Sequence, residues 1–166
     1  MREEERLTRE QLSAWKPLAA VLELLPASLN SSLQKSTGQP LVNLLALGHL
    51  QQKPNKTTGL SDIAACVSTP LPRASRIVAR LEADGLVERS TCETDGRAVI
   101  ITLTTRGEQV LAEAMPHHDR LIRDTLIDVL SPTQLEQLRD IATTLEAHLH
   151  PDMASPVDRQ RQLDTL

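Results

Sequence analysis

The sequence predicts a mainly α-helical chain carrying one small β-hairpin, and three observations support that expectation. Its 166 residues include one tryptophan and neither tyrosine nor phenylalanine, so the interior must be built from Leu, Val, Ile and Ala, the side chains that fill packed helices. Long stretches toward both ends repeat apolar residues at three- and four-residue steps, the period of one helix face. Strand-like alternation is confined to two short runs, LVERS and AVIITLT, where Val99, Ile101 and Leu103 share one face against Ala98, Ile100 and Thr102 on the other.

The elements follow in order. Thr8-Arg9-Glu10-Gln11 is a capping-box pattern, in which the Thr8 hydroxyl and the Gln11 side chain satisfy free amides at a helix start. Leu12, Trp15, Leu18, Leu22, Leu25, Leu29 and Leu33 extend that helix as an apolar stripe, with kinks expected at Pro17 and Pro26. Ser36-Thr37-Gly38 ends it. Pro40 suits a first helical position, and Leu41, Leu44, Leu45 and Leu47 make a second helix ending near Gln52, before the loop KPNKTTG. A short helix, LSDIAACV, follows with Ser61 as cap and Ile63, Ala64 and Val67 inward.

The next helix is capped by Ser68 or Thr69, holds Pro70 and Pro72 in its first turn, and stops at Asp84-Gly85. The two β-type runs, joined by TCETDG, then form a two-stranded hairpin. Thr104 caps a helix through Val110, Leu111, Ala114 and Met115, bent near Pro116 and continuing to Leu130. Ser131-Pro132-Thr133-Gln134 restarts the chain as a last helix with Leu135, Leu138, Ala142, Leu145 and Leu149 on one side. The polar tail after Pro151 is expected to be mobile.

Charge is unevenly placed. The chain is −4 overall, yet residues 1–52 are neutral, 53–107 carry +2 and 108–166 carry −6. Only the middle third approaches a polyanion without strong repulsion, and it holds TPLPRASRIVAR with Arg73, Arg76 and Arg80 and no acid. At about 100° per residue, Ala74, Ile77, Val78 and Leu81 span the buried side of this helix, and Pro72, Ser75, Arg76, Ala79 and Ala83 the opposite one. Small side chains around one long cation let the backbone sit close to a groove floor while Arg76 reaches a base edge. Arg76 and Ser75 are therefore assigned the specifying role, and Arg73 and Arg80 positioning roles on phosphates.

Helix, tight turn, second helix and hairpin is the order of a winged helix-turn-helix, whose second helix enters the DNA major groove. At the hairpin tip, Asp95 and Arg97 bracket Gly96, so a guanidinium can enter the adjacent minor groove while the carboxylate fixes its rotamer. The expected organisation is an N-terminal dimerisation helix over 8–37, a DNA-binding lobe over 40–104, C-terminal dimerisation helices over 105–150 and the tail 151–166. Pairing is expected because one protomer of this size leaves the terminal leucine stripes uncovered.

The strings SRIVARLEADGLVER, preceded by Ser68, and TDGRAVIITLTTRG resemble the multiple-antibiotic-resistance regulator (MarR) family of bacterial transcription factors, over about Trp15 to Leu149. The resemblance implies a homodimer in which terminal helices interlock, each winged helix-turn-helix reads half of a pseudo-palindrome on double-stranded DNA, and a small-molecule effector releases it. It implies recognition-helix roles for Ser68, Ser75, Arg76 and Arg80, with Thr69 beside them, and wing roles for Asp95 and Arg97. Gly96 stands where many members carry another arginine. An effector cleft between interface and DNA lobe is implied near Trp15, Leu18, Leu22 and His49, although the scarcity of aromatics argues against stacking flat phenolic ligands there.

Other classes are disfavoured. No Gly-rich phosphate loop, H-E-x-x-H or G-x-S-x-G is present, so no enzyme is expected. His117 and His118, and His148 and His150, diverge around a helix and so chelate nothing together; no metal and no cofactor are expected. No run reaches the ~18 apolar residues of a membrane span. The charged N-terminus lacks a signal-peptide core, and Cys66 and Cys92 make no disulfide framework, which points to a reducing cytoplasm. The resemblance therefore implies a dimeric, sequence-specific DNA-binding regulator that acts as a ligand-responsive repressor. Its alternatives are a redox-sensing regulator acting through Cys92, near Arg89 and Arg97, and an acidic protein-interaction dimer that has lost DNA binding.

Overall fold

The computed structural model of the chain describes residues 6–91 and 99–149. Helix α1 (Arg9–Thr37) is closed at its start by the Thr8–Gln11 capping box, with reciprocal bonds of 3.2 and 2.8 Å, and at its end by Gly38 in the left-handed region. Both Pro17 and Pro26 lie inside this one helix, at exposed positions where water can take the carbonyl each leaves unbonded. Helix α2 (Leu41–Gln52) starts from Pro40 as its cap residue rather than its first helical one. The side chain of Asn30 on α1 accepts from the Leu41 amide at 3.0 Å, so one helix closes the open end of the next.

A short 3₁₀ turn (Pro54–Lys56) leads into a three-residue strand, β1 (Thr57–Gly59). This strand occupies part of the expected loop KPNKTTG. The observed sheet is three-stranded and antiparallel in the order β1-β3-β2, with β2 at Val87–Thr91 and β3 at Val99–Leu103. Thr57 pairs with Thr102 in this register, and their hydroxyls meet at 3.1 Å. The expected two-stranded hairpin is thus enlarged by one edge strand, while β2 and β3 pair as expected, Val87 opposite Leu103 and Arg89 opposite Ile101.

Helix α3 (Leu60–Cys66) begins after Gly59, and Ser61 lies in its first turn instead of capping it. Helix α4 (Leu71–Ala83) likewise has Pro70, not Ser68 or Thr69, at its cap position, with no side-chain cap bond. Ser68 takes a positive φ of 47° in the turn between the two helices. Gly85, at φ 71°, stops α4 as the sequence suggests.

The core lies where these elements converge: Leu33 of α1, Leu44, Leu47 and Leu50 of α2, Ile63 of α3, Val78 and Leu81 of α4, and Leu86, Val87, Ile101 and Leu103 around the sheet, joined by Leu111 and Ala114 of α5 (Thr105–Ile122). Helix α5 passes through Pro116 without interruption and then widens into a π-helical turn at Arg123–Ile127, where the Asp128 amide bonds back to the Arg123 carbonyl at 2.9 Å. The departure from α geometry therefore sits about two turns beyond the expected bend, and the helix does not run on to Leu130. Ser131 and Gln134 then close the start of α6 (Pro132–Leu149) with bonds of 2.9 and 3.3 Å.

The start of α5 presses on the turn after α4. The Thr104 hydroxyl donates to the Gly85 carbonyl at 2.8 Å and accepts from the Gly107 amide at 3.0 Å. Gly107 touches this turn so closely that a β-carbon there would overlap the Leu86 carbonyl oxygen and lie 2.6 Å from a Leu103 methyl. Both obstacles are buried, one of them backbone, so neither yields cheaply. Gly107→Ala is expected to destabilise the fold by about 1–3 kcal/mol, read as a lower midpoint in urea denaturation.

Candidate nucleic-acid interface

Helix α4 is sorted cleanly by its contacts. Ala74, Val78 and Leu81 are fully buried, Ile77 and Ser75 are half-buried, and Pro72, Arg73, Arg76, Ala79, Arg80 and Ala83 are exposed. Three buried residues at steps of four and three hold one face against α3 and the sheet, which fixes the opposite face outward. Arg73, Arg76 and Arg80 have no acidic partner among the described residues. Arg76 Nε donates to the Pro72 carbonyl of its own helix at 3.4 Å, which leaves its two terminal nitrogens free. Ser75, expected on the open face beside Arg76, sits at its half-buried margin.

Ser68 and Thr69 lie at the amino end of this helix, in a shallow groove of about 360 Å³ shared with Ser61, Ala64, Ala65, Pro70 and Leu71. Ser68 is exposed. The Thr69 hydroxyl is buried and finds no hydrogen-bond partner among the described residues. Asp95 and Arg97, the wing-tip pair, and Cys92 lie outside the described residues.

A contact not expected from the sequence pattern joins the sheet to α4. Arg89 on β2 reaches back to Glu82 in the last turn of α4: its Nε donates to a Glu82 carboxylate oxygen at 2.7 Å and a terminal nitrogen contacts the same oxygen. The Arg89 hydrogen bond holds the Glu82 carboxyl below the usual carboxylate range. The signal was present in RLEADGLVER, where opposite charges flank a glycine turn. A second ion pair, Lys56 to Glu108 at 2.6 Å, ties the chain before β1 to α5.

The residues implied for an effector cleft are placed differently from one another. Trp15, Leu18 and Leu22 form an exposed row on α1, 39–59% accessible, on the same face as the buried Leu29 and Leu33 further along the helix. His49 on α2 is half-buried, and its Nε2 atom is sealed with no partner among the described residues. Burial pushes the His49 imidazole toward the neutral form, Lys53 adds to that effect and Asp62 opposes it. Cys66 on α3 lies against the Leu45 carbonyl, Sγ to O 3.7 Å, and burial raises its thiol, so it is poorly nucleophilic. Among the described residues, no helix is long and apolar enough to cross a membrane, and no three His, Cys, Asp or Glu side chains are grouped to hold a metal ion.

Two helices in tight succession, the second with cations that have no acidic partner among the described residues, and a sheet tied to that second helix define a winged helix-turn-helix DNA-binding protein. Comparison with known proteins narrows the class. Residues 37–98 match the MarR family. The chain is 33% identical over 126 residues to the HTH-type transcriptional regulator BilQ of Clostridium symbiosum, covering 72% of this chain and 83% of BilQ. It is 27% identical over 119 residues to the transcriptional repressor MprA of Escherichia coli, covering 72% of this chain and 67% of MprA. Its fold is similar to the crystal structure of Sco3205, a MarR family transcriptional regulator from Streptomyces coelicolor in complex with DNA, with TM-score 0.85, 31% identity, and 91% and 95% of the two chains covered. The chain belongs to the MarR family of transcriptional regulators.

The sealed imidazole has a consequence for stability. The unfolded chain protonates His49 near the ordinary value of 6.5, and the folded chain only at lower pH. The unfolded state therefore binds more protons below that value, and this site's contribution to stability falls as pH falls through about 6.5. His49→Leu should flatten the pH dependence of the urea midpoint between about pH 7 and pH 5; an unchanged slope would show that another group governs it.

Proposed function

We propose that two copies of this chain pair through their terminal helices and bind a pseudo-palindromic site on double-stranded DNA as a cytoplasmic, ligand-responsive repressor without catalytic activity. The observation that carries the reading is the exposed arginine face of α4, without acidic partners among the described residues and set opposite Ala74, Val78 and Leu81. A polyanion is the natural partner of exposed, unneutralised guanidinium groups on a helix narrow enough for the major groove. Sco3205 is described in complex with DNA and MprA as a repressor, which supports the same reading here.

Pairing is supported by what the protomer leaves bare. Leu12, Trp15, Leu18 and Leu22 on α1 and Leu138, Ile141, Leu145 and Leu149 on α6 form exposed rows, each on one helix face. Rows of that length in water favour burial against a second copy. A two-fold axis then sets two copies of α4 about 34 Å apart, one turn of the duplex. Exposed apolar residues on α1 also suit a small apolar effector. Neither Cys92 oxidation nor loss of DNA binding has an observation in its favour.

In this reading Arg76 specifies bases in the major groove, Arg73 and Arg80 position the helix on phosphates, Ser68 and Thr69 lie at its entry, and Arg97, oriented by Asp95, enters the minor groove. The test uses duplexes selected from a random library, with affinity measured at fixed salt. Arg76→Ala and Arg97→Ala should each weaken binding to the selected duplex by about 1–3 kcal/mol, and only Arg76→Ala should relax base preference in the major groove. Equal loss on all sequences for Arg76→Ala contradicts the specifying role.

A further inference from the structure

We infer that Pro72 is a specificity-determining residue that reads the 5-methyl group of a thymine beside the guanine read by Arg76. The inference rests on the proposed DNA-reading role of α4 and adds the chemistry of a base that Arg76 does not touch. Pro72 is exposed in the first turn of α4 and lies one turn before Arg76 on the same face, about 6 Å along the axis. Its ring presents only carbon to the outside, and as a proline it offers no backbone donor.

The hydrogen-bonding capacity of this face is already limited. Glu82, the one carboxylate on α4, is held by Arg89, and α4 carries no Asn or Gln, the residues that pair with adenine. Arg76 Nε donates to the Pro72 carbonyl, bending the guanidinium back over the turn that holds the proline. Its two terminal nitrogens are then available as a fork for guanine O6 and N7, the common arginine pairing. The base edge next to that guanine faces an apolar ring. Every base presents hydrogen-bonding groups on its major-groove edge that such a ring leaves unsatisfied, thymine its O4 among them, but thymine alone adds a methyl group that the ring can cover.

The probe is deoxyuridine, which removes that methyl and leaves base pairing and the groove's donors and acceptors unchanged. In a duplex selected from a random library, each thymine of one half-site is replaced singly by deoxyuridine and binding of the unaltered protein is measured. One substitution within two base pairs of the Arg76-dependent guanine should weaken binding about fourfold, the worth of roughly one buried methyl group. Pro72→Ser, checked for folding by circular dichroism and for retained affinity to non-specific duplex, should bind the thymine and deoxyuridine duplexes equally. Unchanged binding across the whole scan overturns the inference and leaves DNA reading by α4 intact. The same deoxyuridine loss in Pro72→Ser reassigns the methyl contact and also overturns it. If the library yields no enriched duplex, the DNA-reading function itself fails.

Discussion

The structure depends on the burial of one face of α4. Ala74, Val78 and Leu81 are withdrawn almost completely from solvent, and every outward property of the helix follows from that fixed orientation. A rotation of one residue would carry about 100° of the surface inward, bringing an arginine toward the core at a desolvation cost no pairing group is placed to offset. The buried face thus supplies both cohesion and direction. The close contact of Gly107 on the turn after α4, and the Thr104 hydroxyl bond to Gly85, hold the carboxyl end of the helix in the same way from the other side.

Charge is managed in keeping with that orientation. Several cations away from α4 are neutralised locally: Lys56 by Glu108, Arg89 by Glu82, Arg123 by Asp128 and Arg139 by Asp140. Exposed pairs of this kind contribute little to stability, but they remove cations from competition for a polyanion. The arginines of α4 stay without acidic partners among the described residues. A net acidic chain therefore presents a locally basic edge, and the acidity, concentrated after residue 107, lies in the helices proposed to pair rather than in the helix proposed to read DNA.

Much of this was legible because it is local. The Thr8–Gln11 box, the Gly38 and Gly85 stops, the Thr104 cap and the Ser131–Gln134 restart all act within one helical turn, and each was read from residues three or four apart. The buried and exposed faces of α4 were readable for the same reason. What escaped was non-local or locally disguised. Strand β1 is three residues of Thr and Gly whose partner lies 45 positions away, too short for any period to show. The Glu82–Arg89 pair crosses from a helix to a strand, a spacing no single-element pattern samples. Ser68 and Thr69 look like caps in sequence, but the positive φ at Ser68 redirects the chain so that Pro70 takes the cap position and the Thr69 hydroxyl is buried.

The proposed function requires that α4 lie in the major groove. Dimethyl sulfate methylates guanine at N7 in the major groove and adenine at N3 in the minor groove, so the two grooves can be read separately on one duplex. In the protein's complex with a selected site, guanine N7 should be shielded in two patches about one helical turn apart on the same side of the duplex. Shielding of adenine N3 with guanine N7 left fully reactive would contradict the account.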